Sequence, residues 1–400
     1  MSILLALAFS LAAEILPPWT PGTLDIHQIN TGRGDSAYLI LPDGTTLLID
    51  AGDGGPAGPP RFTAALPNAS RAPGEWIARY IRRVTPGSIE ALDHAYLSHF
   101  HGDHMGQWRA NLPDSKLGTY KLTGITELAE HLPFKRLCDR GWPGYDWPAP
   151  MEDDPQIRNY RAFVAWQMQH RGLKVERFAA GRNDQFKLLR EPGRYPNFSI
   201  RNVAVNGEVW TGVGDNTVLT YPPLASLKPA DYPRENPSSA AIKLSYGKFD
   251  YFHGGDLSAS EIAAEPWRDM ETPVAKAIGP VDVIKLNHHG NGDGTTEFFL
   301  RHVRPRVFVI PVWSSDHPGQ RVLQRLYSEQ IYPGPRDGFA IGMLQANKDV
   351  IGPLLGRLKS DQGHVLVRVE PGGARYSVLI LEDSDESNTV KAKFGPYESR

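Results

Sequence analysis

Residues 97–106 read Leu-Ser-His-Phe-His-Gly-Asp-His-Met-Gly, so His99-x-His101-x-Asp103-His104 packs three imidazoles and a carboxylate into six consecutive positions. With His at 13 of 400 positions, such a run arises by chance on the order of once in a thousand chains of this kind. Imidazole and carboxylate are the donors that zinc, manganese or iron accept, and alternate positions on a turn can face two adjacent cations. Ala91 to Leu97 is a short apolar run of strand length whose pattern stops at Ser98. The donors therefore belong at a strand's C-terminal end, where sites in layered α/β folds collect.

A 400-residue chain with 40% hydrophobic residues can bury a large core. The formal net charge of −2 gives no global attraction for polyanions, so contact with nucleic acid would need a local basic patch. Cys138, the single cysteine, excludes an internal disulfide and reads as a small buried side chain. Ile3 to Leu11 is apolar over the length of a signal-peptide core, with small residues at Ser10 and Ala12, so residues 1–13 are expected to direct export to the periplasm or medium, although no Lys or Arg precedes them. If they are not a signal, the chain stays in the cytoplasm. No segment is long enough to span a bilayer.

From Thr23 three alternating runs predict an N-terminal meander, with Pro42-Asp43-Gly44 as a turn, and Glu75 to Arg83 has helical spacing. One domain is expected over 23–385, with an aromatic and Pro-rich insertion at about 107–235 beside the site. Aromatics of Arg140 to Pro150 could form a substrate platform or simply anchor their loop. Strands are expected at Gln185–Arg190 and Ser199–Val205, to end the insertion. The second half restarts the rhythm: a hairpin about Gly247, a helix over Ser258–Met270, a strand from Val281, another at Arg306–Pro311, a helix at Arg321–Tyr327 and a closing hairpin. Residues 386–400 read as a polar, frayed tail.

Two later strand ends offer more donors: Gly254-Gly255-Asp256 and Asn287-His288-His289-Gly290. A carboxylate such as Asp256 can bridge two cations. Each piece alone is a modest signal.

In order, these pieces resemble the metallo-β-lactamase superfamily, and within it the hydrolase domain of ComEC-type DNA-internalisation proteins and their free-standing secreted relatives. The likeness covers Asp25 to Ser36, Leu48 to Gly52, the His cluster, Asn236-Pro-Ser-Ser239, Asp256, His288-His289-Gly290 and His317-Pro318. It implies a four-layer αββα sandwich and two divalent metal ions, zinc first, with manganese or iron as alternatives. On this likeness His99 and His101 hold one cation, Asp103 and His104 the second, Asp256 bridges and His289 completes the second position. His288 is then a neighbour that contacts substrate or donates a proton. Many superfamily members carry a further His before the bridging Asp. Here only His131, His170 and His253 precede it after the cluster, and Asn236 stands where the ComEC-like subgroup has asparagine, leaving the His99–His101 position the weaker and a mononuclear enzyme open.

Two cations lower the pKa of a shared water from about 15.7 toward roughly 7 and bind the substrate's oxygen. Hydrolysis of a phosphodiester follows, in nucleic acid or in a phosphorylated envelope polymer or lipid headgroup, with Asp103 and His288 at the reacting centre. Asp50 would orient a ligand imidazole or merely cap a turn, and His317 could reach the site from the next loop. The alternatives are hydrolysis of a carboxylic ester, lactone or amide, and a binding module without catalysis. A di-iron oxidoreductase is disfavoured by His101, where such members place Glu. Arg33-Gly34-Asp35 spells an adhesion tripeptide but lies between predicted strands, so no protein partner is inferred. Lys285 is expected to point outward, and His27, His94, His253 and His364 to be ordinary strand histidines.

Overall fold

A computed structural model describes residues 14–55, 59–259 and 265–400. The segment expected to direct export lies outside these. The chain first lays down β1 (Leu24–Gln28), β2 (Ala37–Ile40) and β3 (Thr46–Ile49), then β4 (His94–Tyr96), β5 (Arg136–Asp139) and β6 (Lys174–Arg177). It crosses to a second sheet for β7 (Phe198–Val205), β8 (Glu208–Trp210), β9 (Thr217–Leu219), β10 (Ala241–Tyr246), β11 (Phe249–His253), β12 (Val283–Lys285), β13 (Val307–Ile310) and β14 (Asp337–Ala340). It then returns to the first with β15 (His364–Val369), β16 (Arg375–Leu381) and β17 (Val390–Glu398). The sheet orders are β17-β16-β15-β1-β2-β3-β4-β5-β6 and β14-β13-β12-β11-β10-β7-β8-β9. Strands β3 to β6 are mutually parallel, as are β11 to β14.

Three cores give the layer order. Leu39, Leu47, Ile49 and Tyr96 of the first sheet meet Ile242, Leu244, Val283 and Val309 of the second in a central core. The outer face of the first sheet, with Tyr38, Leu48 and Ala95, is covered by α1 (Pro73–Val84), α3 (Gly124–His131) and α4 (Pro155–Arg171), which flank the one-turn α2 (Gly102–Met105). The outer face of the second is covered by α5 (Glu271–Ile278), α6 (Glu297–Val303), α7 (Gln320–Leu326) and α8 (Gln345–Ile351). Helix, sheet, sheet and helix make the four-layer αββα sandwich. Helix α1 shows why: Trp76, Ile77, Tyr80, Ile81 and Val84 fall on one buried stripe, each large side chain contributing roughly 1.5–3 kcal/mol on burial.

Three expectations are corrected. Of the helix placed at 258–270, residues 260–264 lie outside the described set, and the helix begins at Glu271, where the Asp269 carboxylate accepts from Thr272 N at 3.0 Å. The stretch 185–190 is not a strand. The C-terminal tail is not frayed. Strand β17 pairs with β16, its Phe394 ring packing 5.1 Å from Phe339 and its Tyr397 5.1 Å from Tyr376. Its polar composition is that of an edge strand with one wet face. Residues 107–235 supply β5 and β6 to one sheet and β7 to β9 to the other, and the Arg140–Pro150 aromatics anchor their loop. Tyr145 is buried with its hydroxyl 2.8 Å from Asp139, and Trp147 stacks on Tyr221.

Candidate metal centre

The C-terminal ends of β3, β4, β11 and β12 meet, and the cluster forms there. Asp50, just past β3, holds φ +61°, a left-handed conformation costing a non-glycine residue on the order of 1–2 kcal/mol. That turn aims its carboxylate at the cluster: Oδ1 accepts from Ser98 N at 2.7 Å, and Oδ2 from Ser98 Oγ at 2.6 Å and His104 Nδ1 at 2.8 Å. With its Nδ1–H given to a carboxylate, His104 presents a bare Nε2, 3.1 Å from Asp256 Oδ1. His289 donates Nδ1–H to the Pro311 carbonyl at 3.1 Å and turns its Nε2 to Asp103 Oδ2 at 3.1 Å and Asp256 Oδ2 at 3.3 Å. The two Nε2 atoms are 3.2 Å apart. His99 has Nδ1 on Ser98 Oγ at 3.1 Å, while its buried Nε2 has no partner and lies 3.8 Å from Asp256 Oδ2.

This donor set fits divalent cations. Facing lone pairs ringed by carboxylate oxygens repel unless positive charge sits among them, and one proton between two nitrogens leaves His99 Nε2 unsatisfied. The electrostatics agree. Burial opposes charge on both imidazoles, yet Asp256 and Asp103 outweigh it, holding His104 well above the usual imidazole range and pushing His289 up to about 9. Conversely, burial favours the neutral carboxyl of Asp103 and Asp256, but His104 and His289 hold both below the usual carboxylate range.

Asp256 follows β11 through Gly254 and Gly255, the latter at φ +56°. Lys285 is buried, correcting its expected outward orientation. Its Nζ lies 2.7 Å from Asp35 Oδ2 and 3.4 Å from Asp256 Oδ1, and donates to the Gly255 carbonyl at 2.8 Å. Burial would lower this ammonium's pKa, but Asp35 and Asp256 raise it. As the last residue of β12 it enters a region crowded with carboxylates that need a fixed cation. Asp35, the acid of Arg33-Gly34-Asp35, is also fully buried and has a carboxylate oxygen close to His104, Asp256 and His289, all within 4.8 Å of one another. Its Oδ1 accepts from Gln28 Nε2 at 2.6 Å, and its Oδ2 is the one paired with Lys285. The flanking glycines are steric: a Cβ on Gly52 would sit 1.9 Å, and on Gly34 2.4 Å, from the Asp103 carbonyl oxygen, which accepts from Asp35 N at 2.8 Å.

His288 and His289 are both left-handed, at φ +46° and +54°. Such strain persists only where surroundings impose it. Here Asn287 donates to the buried Glu271 carboxylate at 2.7 Å, His288 N to the Gly255 carbonyl at 3.3 Å, and Gly319 N to the Gly290 carbonyl at 2.8 Å. His288 Nδ1 is 2.6 Å from Asp293 Oδ1, and its Nε2 is 3.0 Å from Asn236 Nδ2 and 3.9 Å from Asp256 Oδ2. His317 stacks on the His289 ring at 4.7 Å. His101 is exposed and meets the His99 ring edge-on at 4.8 Å.

The structure thus gathers His99, His101, Asp103, His104, Asp256, His288, His289, Asp50, Asn236 and His317. His131 and His170 stand apart, exposed on helices, whereas His253 lies beside the cluster: its ring packs 6.4 Å from that of Tyr96, and burial and Lys285 pull its pKa down to about 3. Sequence reasoning missed Ser98, Asp35, Lys285, Glu271 and Asp293. A lysine closing an apolar strand three residues before the His pair was the available signal for Lys285.

No family model matches the chain. A 96-residue stretch, 23% of this chain, is 30% identical to Recombination protein 2 of Haemophilus influenzae and spans 11% of that protein. Among solved structures, yeast PDE1 superposes with a TM-score of 0.40 at 10% identity, over 85% of this chain and 93% of that one. CmlA β-hydroxylase does so with a TM-score of 0.37 at 12% identity, over 86% of this chain and 54% of that one. These superpositions are partial, and the layer order rests on the sheets and cores described above.

Proposed function

We propose that this protein is a metal-dependent hydrolase of the metallo-β-lactamase kind, close to the ComEC type, and that it cleaves phosphodiesters. The observation that carries the reading is the set of bare Nε2 atoms of His104, His289 and His99, each with Nδ1 fixed by a neighbour, converging on Asp103 and Asp256. His104, His289, Asp103 and Asp256 would hold one divalent ion, and His99, His101 and Asp256 a second, with zinc as the first choice for N and O donors. When bound, such ions lower the pKa of a water toward roughly 7 and polarise the substrate's oxygens.

The chain's own residues prepare that chemistry. Asp50 and Ser98 hold the tautomer of His104, and the Pro311 carbonyl holds that of His289. Lys285 cancels part of the charge of Asp35 and Asp256, so that an anionic diester meets a less negative centre. A pair of cations can balance charge on both the attacking and the leaving oxygen of a diester. The stretch of likeness to Recombination protein 2 supports a nucleic acid as one substrate to try.

The test is turnover of bis(p-nitrophenyl) phosphate, single-stranded DNA and p-nitrophenyl acetate by zinc- and manganese-loaded protein. Diester hydrolysis that chelation abolishes supports the reading. Turnover of the carboxylic ester alone moves the protein to ester, lactone or amide hydrolysis. Protein that takes up no metal and turns over nothing is a binding module.

A further inference from the structure

The two oxygens of Asp256 face different neighbours. Oδ1 is held by Lys285 at 3.4 Å and faces His104 Nε2 at 3.1 Å. Oδ2 has three imidazole nitrogens around it: His289 Nε2 at 3.3 Å, His99 Nε2 at 3.8 Å and His288 Nε2 at 3.9 Å. Donors about 2.0–2.1 Å from one tetrahedral zinc lie roughly 3.4 Å from each other. His99 and His288 are therefore both near the separation from Oδ2 that a shared cation would impose.

The tautomer of His288 decides what its Nε2 can do. Nδ1 lies 2.6 Å from the Asp293 carboxylate, an acceptor, so Nδ1 carries the hydrogen. Nε2 is then a lone pair, and Asn236 Nδ2 at 3.0 Å is placed to donate to it. An Nε2 aimed in this way is a ready ligand. The arrangement repeats the one at His104, where Asp50 fixes Nδ1 and leaves Nε2 to the cluster, as outer carboxylates do at metal sites. Two consecutive left-handed residues bring both Nε2 atoms of the pair to the same carboxylate oxygen. The buried Asn236 Oδ1 has no partner, and turned end for end the amide offers that oxygen as a further donor.

We propose that His288 is a ligand of the outer cation position, with His99 and Asp256 Oδ2, that Asp293 positions it, and that its Nε2 is thereby committed to the cation in place of the contact with substrate that the sequence suggests. This rests on the cation-binding reading above but not on the substrate.

The test is metal stoichiometry after equilibrium dialysis against zinc, together with titration of the cobalt(II) absorption bands, on wild type, His288→Ala and Asp293→Asn. Melting curves in chelator verify that the variants fold, and the half-buried Asp293 is the safer position should His288→Ala fail. Wild type taking up two equivalents, His288→Ala keeping one, and Asp293→Asn weakening the second by about 10–100-fold is the expected result. Two equivalents with unchanged affinity in both variants overturns the proposal alone. One equivalent in wild type that neither variant alters also overturns it. Wild type that takes up no metal overturns the cation-binding reading and the proposal with it.

Discussion

The inner and outer halves of the cluster are built to different standards. In the inner half His104, His289 and Asp256 are buried, both imidazoles are fixed at Nδ1, and three of the four Nε2–oxygen distances are 3.1–3.3 Å, the fourth, His104 to Asp103 Oδ2, being 3.8 Å. In the outer half His101 is exposed, His288 is partly exposed, and His99 and His288 stand 3.8 and 3.9 Å from Asp256. The difference teaches that Nδ1 is fixed in both halves, while the inner half excludes water more completely. Where water is excluded, donors must be satisfied by the protein or by an ion, so the inner position should fill first and hold more tightly.

Asp256 touches both halves, so Asp256→Ala is expected to abolish uptake at both positions and reduce hydrolysis to background, measured by elemental analysis and diester turnover. Loss confined to one position would break the comparison. Lys285→Met leaves Asp35 buried and unpaired and should destabilise the cation-free protein by about 3–5 kcal/mol in urea denaturation, with Asp35→Asn recovering part of it. Asp50→Asn acts first on the inner half, because its carboxylate holds His104 directly, and reaches His99 only through Ser98. Inner-site affinity should fall about 10–100-fold, with a smaller loss at the outer site. The smallest effect is on pH. With His289 pushed up to about 9 by Asp256 and Asp103 against the opposing effect of burial, its proton competes with the cation below that value. His104, raised in the same way, gives up a second proton, so inner-site affinity should rise by about tenfold or more per pH unit toward pH 9 and less steeply above it. A flat profile over pH 6–9 would show that the proton is not displaced.

Much of the fold was legible. The meander, α1, the strand before the cluster and the closing hairpin followed from period-2 and period-3.6 patterns, because each buries one face. Strand β17 was not, since Lys391 and Lys393 alternate with half-buried residues on an edge and read as a tail. Of the site, His99, His101, Asp103 and His104 announced themselves because they are adjacent in sequence, and Asp256 and His289 because they follow strands and glycines.

The rest depended on distance through space. Lys285 lies 250 residues from Asp35 in the chain and 2.7 Å from it in the fold, and no local pattern encodes an ion pair made by two sheets meeting. The sequence by itself determined that a cluster of metal donors ends a β-strand in an α/β protein. Only the tertiary structure decided which nitrogen of each histidine is bare, because that is set by the carboxylate or carbonyl placed behind the ring by another strand.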